Sequence, residues 1–94
     1  MLANNKIARI EPNFAEMCPK LTDLILSFNR IAKFSEIEKI GKSCSQLERL
    51  SLIGNQVENL PNYRAFTIYS CPSLKVLDFQ KVTQQERQQA QMLF

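Results

Sequence analysis

Leu21-Thr22-Asp23-Leu24-Ile25-Leu26-Ser27-Phe28-Asn29-Arg30-Ile31-Ala32-Lys33-Phe34 and Leu47-Glu48-Arg49-Leu50-Ser51-Leu52-Ile53-Gly54-Asn55-Gln56-Val57-Glu58-Asn59-Leu60 carry one pattern twice. Leu, Leu, Leu, Asn, an aliphatic residue and a large apolar residue recur at identical internal spacing, L-x-x-L-x-L-x-x-N-x-I-x-x-F. Upstream, Leu2, Asn5, Ile7 and Ile10 are the second half of an earlier copy. Downstream, Leu74, Leu77 and Phe79 begin a later one, with Val82 where the asparagine would stand. Asn5 to Asn29 is 24 residues and Asn29 to Asn55 is 26. A period in this range is the signature of stacked supersecondary units.

The chemistry of the pattern dictates a fold. In L-x-L, apolar residues alternate with period two, as in a half-buried strand. The leucines point inward, and the asparagine amide satisfies backbone groups where the strand ends. Stacked copies form a parallel sheet in which each unit covers its neighbour's apolar face. The expected fold class is α/β: a leucine-rich-repeat solenoid with a short parallel sheet on the concave face, helices on the convex face and a C-terminal cap. Strands are expected near 24–26, 50–52 and 77–79, and helices near 35–44 and 83–92. The chain reads as a single domain over 1–94: repeats over 1–60, cap and last strand over 61–82, and a C-terminal helix over 83–94.

The connecting segments support this reading. Ser35 and Glu38 form an S-x-x-E capping box, with Ile37, Ile40 and Cys44 on one face behind it and Gly41 loosening the helix. Thr83 and Glu86 form a second box. It opens a glutamine-rich helix whose apolar contacts are Ala90, Leu93 and Phe94. Cys18, Cys44 and Cys71 each lie three residues before the first leucine of a copy. One cysteine per copy reads as a small buried apolar residue rather than a disulfide or metal ligand.

Composition narrows the function. The chain has 94 residues, no histidine, two glycines and three cysteines, with a net charge of +3. The commonest general base and metal ligand is therefore missing. With no glycine-rich phosphate loop and no pocket of paired carboxylates, no catalytic residue, cofactor or metal is expected. The charge is too mild to argue for nucleic acid by itself. No run of about 18 apolar residues could span a membrane. Met1-Leu2-Ala3-Asn4-Asn5 does not open a signal peptide, and an odd cysteine count suits a reducing compartment, the cytosol or nucleus. Because the chain opens in mid-repeat, the first strand edge is expected to be uncovered: either the chain is a fragment or a partner covers that edge.

The stretch Asn62-Tyr63-Arg64-Ala65-Phe66-Thr67-Ile68-Tyr69-Ser70-Cys71-Pro72-Ser73-Leu74-Lys75-Val76-Leu77-Asp78 is similar to the cap that closes one group of intracellular leucine-rich-repeat proteins. Its continuation, Phe79-Gln80-Lys81-Val82 and then Glu86-Arg87-Gln88-Gln89-Ala90, resembles the A-prime family of the U2 small nuclear ribonucleoprotein. Cys18-Pro19-Lys20-Leu21-Thr22-Asp23-Leu24-Ile25-Leu26 is similar to a repeat of that family. The resemblance runs the whole chain and covers the C-terminal part of the family's repeat domain. Asn55-Gln56-Val57 departs from it, since the family often has proline after the asparagine. The resemblance implies a nuclear, non-enzymatic component of the splicing machinery. Such a component holds an RNA-recognition-motif protein of the B-double-prime type and, with it, binds a stem-loop of U2 small nuclear RNA. The alternative is a general intracellular protein-interaction module outside the spliceosome.

The register of the copies supplies candidate contacts. Outward positions form three columns: Asp23, Arg49 and Val76; Met1, Ile25, Ser51 and Asp78; Ala3, Ser27, Ile53 and Gln80. A mixed surface with a few apolar anchors suits a protein partner. The expected contacts are Asp23, Ile25, Ser27, Phe28, Arg49, Ser51, Ile53 and Asp78, with a cross-strand Asp23–Arg49 pair. Lys6, Arg9, Arg30 and Lys33 occupy equivalent positions in adjacent copies and form a basic stripe suited to RNA phosphates.

Overall fold

The computed structural model describes residues 20–94. Its elements run β1 (Asp23–Ile25), α1 (Phe34–Ser43), β2 (Arg49–Ser51), a 3-10 helix (Gln56–Asn59), α2 (Tyr63–Ser70), β3 (Val76–Leu77), β4 (Gln80–Lys81) and α3 (Gln84–Leu93). The strands form one sheet in the order β1-β2-β3-β4. β1, β2 and β3 are parallel, with Leu24 beside Leu50 and Leu50 beside Leu77. α2 packs against both α1 and α3.

The strand leucines are inside, whereas Leu21, at the start of a copy, is partly buried and Leu60, at the end of one, is exposed. Leu24, Leu26, Leu47, Leu50, Leu52, Leu74 and Leu77 are buried, with Ile31 and Val57 behind the asparagines and Ile37 and Ile40 from α1. The asparagines act as the pattern requires. Asn55 donates to the carbonyls of Leu26 (2.9 Å) and Leu52 (3.0 Å) and accepts from the Ile31 N–H (3.0 Å). It thereby ties one repeat to the next while only 2% exposed. Asn29 donates to Leu26 O and Ser27 O of its own repeat. No buried side-chain nitrogen or oxygen among the described residues lacks a partner. Cys44 and Cys71 are buried and not disulfide-bonded. Burial pushes the Cys71 thiol up to about 12, so its reactive thiolate is suppressed.

The structure corrects five sequence expectations. The strands begin one residue earlier than the leucine pattern suggested, within the usual latitude of element ends. The last strand stops at Leu77, because Asp78 (φ 53) and Phe79 (φ 65) leave the extended region. Phe79 is therefore 70% exposed rather than a core residue. The chain turns back there, and β4 pairs antiparallel with β3, so the sheet is mixed and Gln80 leaves the third outward column. The Ser35–Glu38 box does not form: α1 starts at Phe34, with Lys33 in the N-cap position and no side-chain cap bond. Starting there lets the Phe34 ring stack on Phe66, with centroids 4.3 Å apart and planes 8° from parallel. That aromatic contact, with Phe66 buried and Phe34 partly so, offsets a cap of about 1 kcal/mol. Gly41 serves packing rather than loosening the helix, since a Cβ there would stand 2.0 Å from the Ser70 carbonyl oxygen. The missing Cβ lets α2 close on α1.

Candidate partner-binding face

The outward columns begin as the sequence placed them. Asp23 is in register with Arg49, and Arg49 with Val76; Ile25 is in register with Ser51. The Arg49 guanidinium reaches Asp23 Oδ2 at 3.4 Å, with both side chains more than half exposed. A second cross-repeat pair, Lys75 with Glu48 at 3.7 Å, lies just before the strands. Exposed pairs of this kind add little stability. They do leave charge available at the surface.

Not every candidate contact faces outward. Ser51 is 1% exposed and Ser27 7%, and their hydroxyls bond each other at 2.7 Å. Asp78 commits both carboxylate oxygens to the fold. One accepts the Leu52 N–H and the other the Tyr63 hydroxyl, each at 2.8 Å. These three residues build the floor and the C-terminal end of the face instead of forming its surface. Burial first, and then the Asp78 carboxylate, push the Tyr63 phenol well above its ordinary range, so it stays a donor.

The residues that remain open are Asp23, Ile25, Phe28, Arg49 and Ile53. Ile25 and Ile53 are half-buried. Phe28 is 58% exposed. Its backbone is left-handed (φ 58), and its N–H donates to Ile53 O at 2.8 Å. Gly54 lies under the Phe28 ring: a Cβ on it would stand 2.5 Å from Cδ1 and 2.9 Å from Cε1. Sequence reasoning found Phe28 but missed Gly54, whose significance depends on a ring in the preceding repeat.

Beyond the sheet, Arg30 and Lys33 are exposed. Lys6 and Arg9, the other half of the expected basic stripe, lie outside the described residues, as do Met1, Ala3 and Cys18. At the opposite end, Arg64 binds the cap together. It donates to the Leu77 and Lys81 carbonyls at 3.1 Å each and pairs with Glu86. The Arg64 hydrogen bond, with help from the Thr83 N–H, holds the Glu86 carboxyl at about 2, against an ordinary 4.5. Among the described residues, no group of three or more His, Cys, Asp and Glu comes together to hold a metal.

Stacked strand–turn–helix units, an asparagine ladder between them and a closing cap are the features of one repeat class, and the leucine-rich-repeat profile matches residues 1–94. The chain belongs to the leucine-rich-repeat family. Over all 94 residues this leucine-rich-repeat chain is 42% identical to the U2 small nuclear ribonucleoprotein A' of Arabidopsis thaliana, spanning 37% of that protein. It is 38% identical to the Homo sapiens U2 small nuclear ribonucleoprotein A', spanning 36% of it. The resemblance to A-prime proteins along the whole chain, read from the sequence, is thereby borne out. Among solved structures, it superposes with a TM-score of 0.92 and 39% identity on a chain of the Drosophila melanogaster SNF/U2A' complex, covering 100% of itself and 53% of that chain. The Mex67 leucine-rich-repeat domain of Chaetomium thermophilum matches 94% of the chain and is itself 60% covered, with a TM-score of 0.80 and 37% identity. The chain spans little more than a third of the curated relatives it matches.

Proposed function

We propose that this leucine-rich-repeat chain is a non-enzymatic, nuclear scaffold of the U2 small nuclear ribonucleoprotein in pre-mRNA splicing. Its concave face holds an RNA-recognition-motif protein of the B-double-prime type. The complex then engages a stem-loop of U2 RNA, with Lys6, Arg9, Arg30 and Lys33 toward the phosphates. The observation that carries this reading is the near-complete superposition on a chain of the SNF/U2A' complex, in which a U2A' protein is seen with a partner. The open face suits such a partner, because Ile25, Phe28 and Ile53 offer apolar anchors and Asp23 and Arg49 a charged pair. Ser27, Ser51 and Asp78 support the face from below. The likeness to the Mex67 repeat domain favours a second reading, a protein-interaction module outside the spliceosome.

Affinity purification of the tagged chain, with identification of co-purifying protein and RNA, separates the two. Recovery of U2 RNA together with an RNA-recognition-motif protein is the expected result. Recovery of other partners without U2 RNA would overturn it in favour of the second reading. Ile53→Glu sets an unpaired carboxylate into the contact. It should weaken binding to the purified B-double-prime-type protein more than about tenfold, or about 1.4 kcal/mol. Full affinity in a normally folded variant would remove the concave face from the contact.

A further inference from the structure

Phe28 stands where the fold itself gains little from a phenylalanine. Its left-handed backbone suits Asn, Asp or Gly better, and the side chain is 58% exposed. Yet the ring lies over Gly54. Its root is fixed by the N–H bond to Ile53 O, and the Cγ–Cδ1–Cε1 edge occupies the space that any Cβ at residue 54 would need. Gly54 (φ 81) thus has two reasons to be glycine, and only one concerns its own backbone.

On the proposed partner-binding reading, we infer that Gly54 is a positioning residue that seats the Phe28 ring as a preformed anchor for an apolar recess on the folded protein partner. A ring already fixed in its bound pose loses less freedom on association. Aromatic side chains of this kind dominate interface energetics. The occupant is protein rather than an RNA base because Phe28, in the turn after β1, is bonded to half-buried Ile53, and the open face also carries Ile25 and the charge-balanced Asp23–Arg49 pair.

Affinity for the purified B-double-prime-type RNA-recognition-motif protein tests the inference. Phe28→Ala and Gly54→Ala should each weaken binding by about tenfold, an ordinary hot-spot effect. Gly54→Asn, which tolerates the left-handed backbone, should do the same. The losses should not multiply: adding Gly54→Ala to Phe28→Ala should change affinity by less than about twofold, as expected of residues acting as one unit. A 4-fluorophenylalanine probe at position 28 should shift its fluorine resonance in the free Gly54→Ala protein. Losses that multiply, or a shifted resonance with unchanged affinity, would overturn the positioning role. So would losses confined to RNA binding by the preassembled complex. If Phe28→Ala is harmless while Ile53→Glu disrupts the complex, the anchor falls and the scaffold reading stands. If no substitution on the face weakens binding, the concave-face reading fails and takes the anchor with it.

Discussion

Asn55 makes three hydrogen bonds that no apolar residue of its size could replace. Asn55→Leu would leave the Ile31 N–H without its acceptor inside the core and take one donor each from the Leu26 and Leu52 carbonyls, which keep Asn29 Nδ2 and the residue-55 N–H, at a cost of about 2–3 kcal/mol. Thermal unfolding should show a drop of more than about 10 °C. A drop within experimental error would mean that the ladder does not stabilise the stack. Leu50→Ala should cost roughly 2–5 kcal/mol, because Leu50 is 2% exposed between two repeats. Both roles were legible in the sequence, because the period alone sets which residues turn inward. Gly41 was not. Helix propensity predicts that Gly41→Ala stabilises by about 1 kcal/mol. The Ser70 carbonyl in its way predicts the opposite, a loss of about 2 kcal/mol as α1 and α2 are forced apart. The sign of the melting shift decides between them. No local pattern could show this contact, since Ser70 lies where the repeat lapses.

Among the elements, the two S/T-x-x-E boxes show what a local motif can and cannot establish. The Thr83 box forms in full, with Glu86 N–H to Thr83 Oγ1 at 3.1 Å and Thr83 N–H to Glu86 at 3.0 Å. The Ser35 box lost to an aromatic stack. α2 was legible only as a departure from the repeat, because its residues pack as a cap and not as a repeat unit. α3 is joined to α2 through the Arg64–Glu86 pair, and the depressed Glu86 carboxyl gives it a pH dependence. A folded-state value of about 2, below the ordinary 4.5, means that the contribution is complete above 4.5 and is lost as pH falls toward 2. Glu86 is 31% exposed, so water screens the pair and about 1 kcal/mol is the expected scale. Glu86→Gln should lower the melting temperature at neutral pH and flatten its fall across that acid window. An unchanged acid profile would exclude Glu86 as a source of the dependence.

At the scale of the molecule, the described residues present two surfaces of different character. The sheet face mixes apolar anchors with the balanced Asp23–Arg49 pair, whereas Arg30 and Lys33 beyond it are exposed cations. The net charge of +3 gives long-range attraction to nucleic acid, but too little to select it. If the division of labour is as proposed, the surfaces should separate cleanly. Arg49→Glu sets like charge beside Asp23 on the face. Because that pair is exposed, the melting temperature should move little, while protein-partner affinity falls by more than about tenfold. Changing Lys6, Arg9, Arg30 and Lys33 to glutamine should leave that affinity intact. It should instead weaken RNA binding by the assembled complex and flatten its log–log salt dependence. The expected change is about one unit for each cation that had neutralised a phosphate, because each such contact releases counterions. Titrating both variant sets against the partner and against a U2 stem-loop, at several salt concentrations, gives the comparison. A salt slope equal to the unsubstituted protein's would show that the RNA passes elsewhere. Partner binding lost with the glutamine set would show that the stripe belongs to the protein contact.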